Sequence, residues 1–404
     1  MADLTAIVDD TVRRERGRIV GGLLRLCGSL DAAEEAFQEA ALSALEVWGD
    51  EIPANPGAWL MTAAKNRARD ARRRRAVREA KAPLLAEDDM DPRETIDSVS
   101  DDYLRLILTC CHPELSSDNQ IALTLKMVAG FSTEEIARAF VCSEATVSQR
   151  ILRAKQTLAS KPALFGAPER DELGVRVAPA LGVVYSMFNE GHTGRSGALM
   201  RLDLQAEALR LGRLLCDLVP GEAEAFALVA IMAFNAARAH TRVDADGVPI
   251  LLSAQDRSSW NKELLREGLM ALARARTLGG RGPYALQAEI AAVHVTAATW
   301  EGTDWAAISA LYSSLQAVAP SPIVALNRAV ALSMYQGPAA GLRALEDLES
   351  PLSDYHLFYA TRAELRERLG QDPRPDLLKA LALVTNEGER RLLERRLNPS
   401  VAQP

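Results

Sequence analysis

Apolar residues recur every three to four positions in segment after segment of this 404-residue chain, and no stretch alternates apolar with polar residues at a period of two. The first pattern makes amphipathic helices and the second would make half-buried strands, so the fold is predicted to be all-α. Ala, Leu, Arg and Glu are abundant while β-branched and aromatic runs are few, which agrees. The length is more than one hydrophobic core ordinarily serves and suits two or three domains.

Charge and hydropathy narrow the function classes. The formal net charge is −7, so any nucleic-acid contact has to come from a local basic patch. The opening residues MADLTAIVDDTVRRERG lack the apolar core of an export signal. Even the most apolar run, EAFALVAIMAFNAARAH, is cut by Asn235 and Arg238, so no membrane span is expected. Five cysteines in no regular framework fit reduced thiols in a cytoplasm.

Residues 4–30 form one helical stretch, with Gly28 as its stop and Ser29 or Asp31 as the next N-cap. In residues 31–48 the spacing gathers Ala36, Phe37, Ala40, Ala41, Ala44, Leu45 and Trp48 on one face. Asp31, Glu34, Glu35, Gln38 and Glu39 fall on the other and form an acidic surface. After the loop GDEIPANPG comes a long helix with nine basic residues between Lys65 and Lys81, against only Asp70 and Glu79. Such a run is either a solvated helix end or a polyanion contact; four consecutive arginines, Arg72 to Arg75, repel one another, and a polyanion relieves that repulsion. Residues 82–101 are acidic, broken by Pro83 and Pro92, and read as a linker.

The sharpest local signal is FSTEEIARAFVCSEATVSQRILRAKQTL, residues 131–158. Ser132 and Glu135 have capping-box spacing and open a short helix. Ser143 caps a second, in which Val147, Ile151, Ala154 and Leu158 share the inner face. Its outer side carries Thr146, Gln149, Arg150, Arg153 and Lys155. Gln and Arg can make bidentate contacts to base edges, and Ser, Thr and Lys can position the phosphate backbone. The pattern fits a DNA-reading helix-turn-helix, although an ordinary αα-hairpin shares its geometry.

TCCHPEL, residues 109–115, raises the question of a metal or a reactive thiol. Adjacent Cys110 and Cys111 with one nearby His112 make a poor tetrahedral site, so no metal and no cofactor are expected. The two cysteines follow Leu104, Ile107 and Leu108 on an amphipathic helix and fit a buried core better than a redox-tuned thiol.

Taken together, the motif blocks resemble the extracytoplasmic-function sigma factors, a branch of the sigma-70 family of bacterial RNA polymerase subunits. DAAEEAFQEAALSALEVW resembles their region 2.2, PGAWLMTAAKNRARDARRRR their regions 2.3 and 2.4, and STEEIARAFVCSEATVSQRILRAKQTL their region 4.2. The resemblance implies a region 2 helical domain at 1–81, the linker 82–101, and a region 4 helix-turn-helix domain at 102–160. It implies that Asp31, Glu34, Glu35, Gln38 and Glu39 dock on the β′ coiled coil of core polymerase, with region 4 on the β flap. Asn55, Lys65, Asn66, Arg69, Arg72 and Arg73 would hold the melted −10 element. Ser143, Thr146, Gln149, Arg150, Arg153 and Lys155 would bind the −35 element. Few aromatics follow Trp59, so unpaired bases would rest on Arg planes or be captured in pockets. Such a protein is not an enzyme; promoter opening is driven by binding the unpaired strand.

Members of that branch ordinarily end near residues 160–200, and residues 171–404 go well beyond. GPYALQAEIAAVHVTAA with DWAAISALYSSLQAVAP, SPIVALNRAVALSMYQG with PAAGLRALEDLE, and DYHLFYATRAELRERLG with RPDLLKALALV read as successive helix pairs. Small residues Ala329, Ala331, Ala360 and Ala363 at crossings make this a TPR-like helical-repeat domain. A Gly-rich break holds Asn189, Glu190, His192 and Arg195, a possible interaction loop. His240 and His294 fit structural positions on helical faces. The expected role of this half is to regulate sigma activity, through intramolecular contact with the sigma domains or through a partner or ligand. The rival reading is a helix-turn-helix activator on a TPR-like scaffold, which would need no region 2.

Overall fold

The computed structural model describes residues 4–48, 52–78, 96–140, 142–160, 173–192 and 202–398. Among them the secondary structure is helical apart from turns and one isolated backbone bridge, Val243 to Pro249. No described helix is long and apolar enough to cross a membrane. The chain divides into two compact units, Met1–Ser186 and Met187–Pro404.

The first unit begins with α1 (Leu4–Cys27), α2 (Leu30–Val47) and α3 (Pro56–Arg78). Gly28, at φ +64, turns the chain after α1, and the Ser29 hydroxyl accepts from the Ala32 N–H to start α2. Ile19, Val20, Leu23, Phe37, Ala40, Leu60 and Ala64 form the interior where the three helices meet. Trp48 and Trp59 meet edge to face at 5.5 Å and tie the end of α2 to the start of α3.

Next come α4 (Ile96–Cys110), α5 (Ser117–Met127), α6 (Thr133–Ala139) and α7 (Glu144–Ala159), followed by α8 (Leu173–His192). The expected linker is shorter than the sequence suggested: its last six residues, from Ile96, already belong to α4. α4 packs on α1, an approach that Gly17 and Gly21 make possible. A Cβ on Gly21 would sit 2.7 Å from the Asp102 carbonyl oxygen, and one on Gly17 would strike the Tyr103 ring.

The second unit holds α9 (Leu202–Leu218), α10 (Ala223–Ala237), α11 (Lys262–Thr277), α12 (Pro283–Thr296), α13 (Trp305–Val318), α14 (Pro322–Gln336), α15 (Pro338–Leu345), α16 (His356–Arg368), α17 (Arg374–Leu383) and α18 (Glu387–Leu397). Apolar on every side, α10 is enclosed by α9, α11 and α12. From α12 onward each helix packs on the next, as stacked helix pairs do. Ala329, Ala331 and Ala363 are fully buried at these crossings. Phe358, Leu365, Leu377 and Leu345 fill the C-terminal core. Buried Asp376 is held there by Arg362 at 2.8 Å and Arg366 at 2.6 Å.

Candidate nucleic-acid interface

The helix-turn-helix is built by its caps. The Ser132 hydroxyl accepts from the Glu135 N–H at 3.0 Å, and the Glu135 carboxylate accepts from the Ser132 N–H at 2.7 Å, which completes the capping box on α6. At the second helix the Ser143 hydroxyl accepts from the Thr146 N–H at 3.1 Å. Val147, Ile151, Ala154 and Leu158 are the buried residues of α7, the four that the spacing selected.

With that stripe inside, Ser143, Thr146, Gln149 and Arg153 are exposed. Thr146, Gln149, Arg150 and Arg153 line a shallow groove with Ser116, just before the neighbouring α5, and Asp118 in its first turn. Arg150 is half-buried and pairs with Asp118 at 2.7 Å, so its guanidinium is steadied along one wall. Three of the candidate base-reading side chains therefore point outward and a fourth is tethered beside them.

Lys155 is different. Its ammonium turns inward and donates to Asp31 Oδ1 at 2.7 Å and to Glu34 Oε2 at 2.6 Å on α2. This corrects two expectations at once. Glu34 does not belong to an exposed acidic face: it is buried, and its other oxygen accepts from Arg16 of α1 at 2.5 Å. The physical reason is register. Leu30, Ala33 and Phe37 form the buried stripe of α2, and Glu34 sits on its flank, three residues before Phe37. Leu45 and Ala41, expected inside, lie outside the buried stripe, and Leu45 joins Leu42 and Val47 on the solvent side. Burial alone would raise the Glu34 pKa, but the Lys155 bond and the charges of Arg16, Lys155 and Lys126 outweigh it and hold the carboxyl below its ordinary value. Burial opposes the charge on Lys155 as well, and its bonds to Asp31 and Glu34 hold its pKa above the ordinary value.

Glu35 and Gln38 remain exposed on α2 beside Leu42 and Leu45, with Glu39 half-buried. On α3, Asn66, Arg69, Arg72 and Arg73 are exposed, and none of these arginines makes an ion pair with a described residue. Lys65 is half-buried. Arg67 instead reaches back to the Ser43 hydroxyl at 3.0 Å. Asn55 is exposed, and its side-chain oxygen accepts from the Ala58 N–H at 3.0 Å, so it caps α3.

The cysteine pair is core. Cys110 and Cys111 are buried, Cys111 Sγ lies 3.4 Å from the Thr124 hydroxyl, and burial pushes its pKa up to about 12. Gln120 of α5 donates to the backbone oxygens of Cys111 and His112 and closes the turn after α4. Among the described residues no group of His, Cys, Asp and Glu could hold a metal ion. Of the Gly-rich break, Asn189 is half-buried on α8. Arg195 and the side chains of Glu190 and His192 lie outside the described residues.

Comparison with known proteins meets this geometry. Residues 11–78 match the family described as Sigma-70 region 2, and residues 105–158 match Sigma-70, region 4. The RNA polymerase sigma factor CarQ of Myxococcus xanthus is 34% identical over 129 residues, 32% of this chain and 73% of CarQ. The chain belongs to the sigma-70 family, in its extracytoplasmic-function branch. The region 2 match removes the rival activator-on-a-scaffold reading, which had no use for α1 to α3. Residues 176–276 of this sigma factor match a family of unknown function, DUF6596. An uncharacterized protein of Rhizobium meliloti (strain 1021) is 39% identical over 411 residues, covering 99% of this chain and 97% of the relative, so the C-terminal unit is shared along with the sigma regions. No solved structure matches.

Proposed function

We propose that this alternative sigma factor divides promoter recognition among three faces of its first unit. The outer face of α2, with Glu35, Gln38 and Glu39 around exposed Leu42 and Leu45, docks on the β′ coiled coil of core polymerase. Asp31 and Glu34 are engaged with Lys155 and join that contact only when Lys155 leaves. Lys65, Asn66, Arg69, Arg72 and Arg73 track the unpaired −10 strand, with Asn55 at the head of α3. Ser143, Thr146, Gln149, Arg150 and Arg153 meet the −35 element in the major groove, and region 4 also rests on the β flap. No bond-making chemistry belongs to the protein. The second unit regulates this activity.

The observation that carries the proposal is the outward face of α7: Thr146, Gln149 and Arg153 exposed over a buried Val147–Ile151–Ala154–Leu158 stripe. Run-off transcription with sigma-free core polymerase tests it. Arg72→Ala with Arg73→Ala is expected to abolish transcripts while duplex binding persists, and Gln149→Ala with Arg153→Ala to abolish −35-dependent initiation. A variant pair that transcribes like the parent removes its face from the assignment. A chain ending at His192 tests regulation: transcription identical to the full chain under every condition would end the regulatory role of the second unit.

A further inference from the structure

The long side chains on the outward face of α7 do not all meet solvent in the same way. Gln149 and Arg153 are exposed, and neither side chain has a hydrogen-bond or ionic partner among the described residues. Arg150 is half-buried, and its Nη2 lies 2.7 Å from Asp118 Oδ2. The pair meets across the groove described above, which holds about 560 Å³, with Arg150 on the α7 wall and Asp118 on the α5 wall. Some 62% of the Asp118 side chain is exposed, against 28% for Arg150, so the acid is no part of the packed core and can be replaced without opening it.

The α5 wall is firmly placed. Gln120 donates to the carbonyls of Cys111 and His112 at 3.2 and 2.8 Å and pins the start of the helix to the end of α4. Ile121, Leu123 and Leu125 are buried behind it. Asp118 stands in the first turn, where its charge also suits the positive end of the helix dipole. A carboxylate carried on a packed helix positions its partner more closely than one carried on a loop. The Arg150 guanidinium is therefore set in place before any DNA arrives.

An arginine on a DNA-reading helix has two targets, a phosphate or the O6 and N7 edge of guanine. Asp118 discriminates between them. With Asp118 the pair is neutral overall, and a phosphate that approaches Arg150 also approaches a carboxylate of its own sign. A guanine edge is uncharged and offers two acceptors. Of the five N–H donors on a guanidinium only those of Nη2 face Asp118, so enough remain for a two-pronged contact while the ion pair persists. Rotamer freedom already given up in the free protein is not lost again on binding. Arg153, three residues further along α7, has no acid beside it and no such bias.

We propose that Asp118 is a specificity-determining positioning residue: it holds Arg150 for a guanine of the −35 element and keeps it off the phosphates. The inference rests on the −35 assignment of α7 above. It adds α5 to the elements that set sequence preference.

Full-length protein is assembled with sigma-free core polymerase, and the holoenzyme selects from duplex DNA randomised across the −35 and −10 regions, with the enrichment of each base read by sequencing. The parent is expected to favour guanine at one upstream position by at least ~5-fold, the low end of what a bidentate arginine contact confers. Arg150→Ala erases that preference. Asp118→Asn cuts it by at least half while the other upstream preferences stand, and changes nothing further in the Arg150→Ala background, because its effect runs through Arg150. On poly(dA)·poly(dT), which offers phosphates and no guanine, full-length Asp118→Asn is expected to bind more tightly than the parent, with a salt slope steeper by about 0.9, the mark of one added phosphate contact. A carboxylate that served only the start of α5 would instead weaken every position and both duplexes alike. Asp118→Ala, judged by the same criteria, carries the test where circular dichroism shows Asp118→Asn unfolded. Guanine preference undiminished in the folded Asp118 variant, or a preference that survives Arg150→Ala, overturns the inference and leaves −35 recognition standing. A parent holoenzyme with no upstream base preference removes the −35 assignment, and this inference with it.

Discussion

Removing the charge of Glu34 is the most informative perturbation of the first unit. Its carboxylate meets Arg16 at 2.5 Å and Lys155 at 2.6 Å, and only about a tenth of each side chain of Glu34 and Arg16 is exposed. Breaking a buried ion pair by removing one partner costs about 3–5 kcal/mol, because the other charge is left buried. Glu34→Gln keeps one acceptor for the two cations, which places it at the low end, near ~3 kcal/mol. For a unit of this size that is a fall in melting temperature of about 6–12 °C. Lys155→Met keeps the aliphatic stem and leaves Glu34 its bond to Arg16, while Asp31 is free to solvate, so ~1–2 kcal/mol is expected. Calorimetric unfolding of the two single variants and the double variant closes a cycle, and the coupling should be about 1–2 kcal/mol. Coupling under ~0.5 kcal/mol would class Lys155–Glu34 with ordinary surface pairs and refute the burial argument. The pH dependence has a definite sign. The Glu34 pKa is lowered on folding, so its contribution is complete above the unfolded carboxyl's value of ~4.3 and is lost as pH falls through the folded value. The gap between the parent and Glu34→Gln should therefore close in acid.

Other consequences are equally direct. Burial raises the pKa of Cys110 and Cys111, so both thiols should resist alkylation at neutral pH in the native protein and react only on unfolding. Gly21→Ala drives a methyl group against the Asp102 carbonyl and should cost about 1–3 kcal/mol of first-unit stability, read from its urea midpoint. Burial and the charges of Arg238 and Arg257 lower the pKa of His294 to about 4, so the unfolded chain takes up the proton first as pH falls. Second-unit stability should drop by about 1–2 kcal/mol between pH 7.5 and 5, and His294→Gln should flatten that slope.

Local signals were legible and long-range ones were not. The α7 stripe, the Ser132–Glu135 capping box and the Gly28 stop rest on spacings of four residues or fewer, which the chain displays openly. Glu34 and Lys155 are 121 residues apart, and nothing in either neighbourhood announces that one will neutralise the other. Each therefore read as exposed, one in an acidic surface and the other on a DNA face. The Leu30–Ala33–Phe37 stripe did place Glu34 at the edge of the core, a hint that a helical wheel anchored on Leu30 would have caught.

The engagement of Lys155 with α2 sets up a competition. Were Lys155 to meet a DNA phosphate, as its place on α7 predicts from the sequence, its ammonium would have to leave Glu34, and whatever free energy favours the inward state would be subtracted from promoter affinity. A bias of ~2.7 kcal/mol toward that state would weaken DNA binding by the isolated chain about 100-fold. Linkage makes the effect reciprocal: a partner that takes over Asp31 and Glu34 frees Lys155, and DNA that captures Lys155 frees the two carboxylates. Core polymerase and promoter would then each bind better in the presence of the other, with a lysine–carboxylate bond as the toggle between solitary and assembled forms.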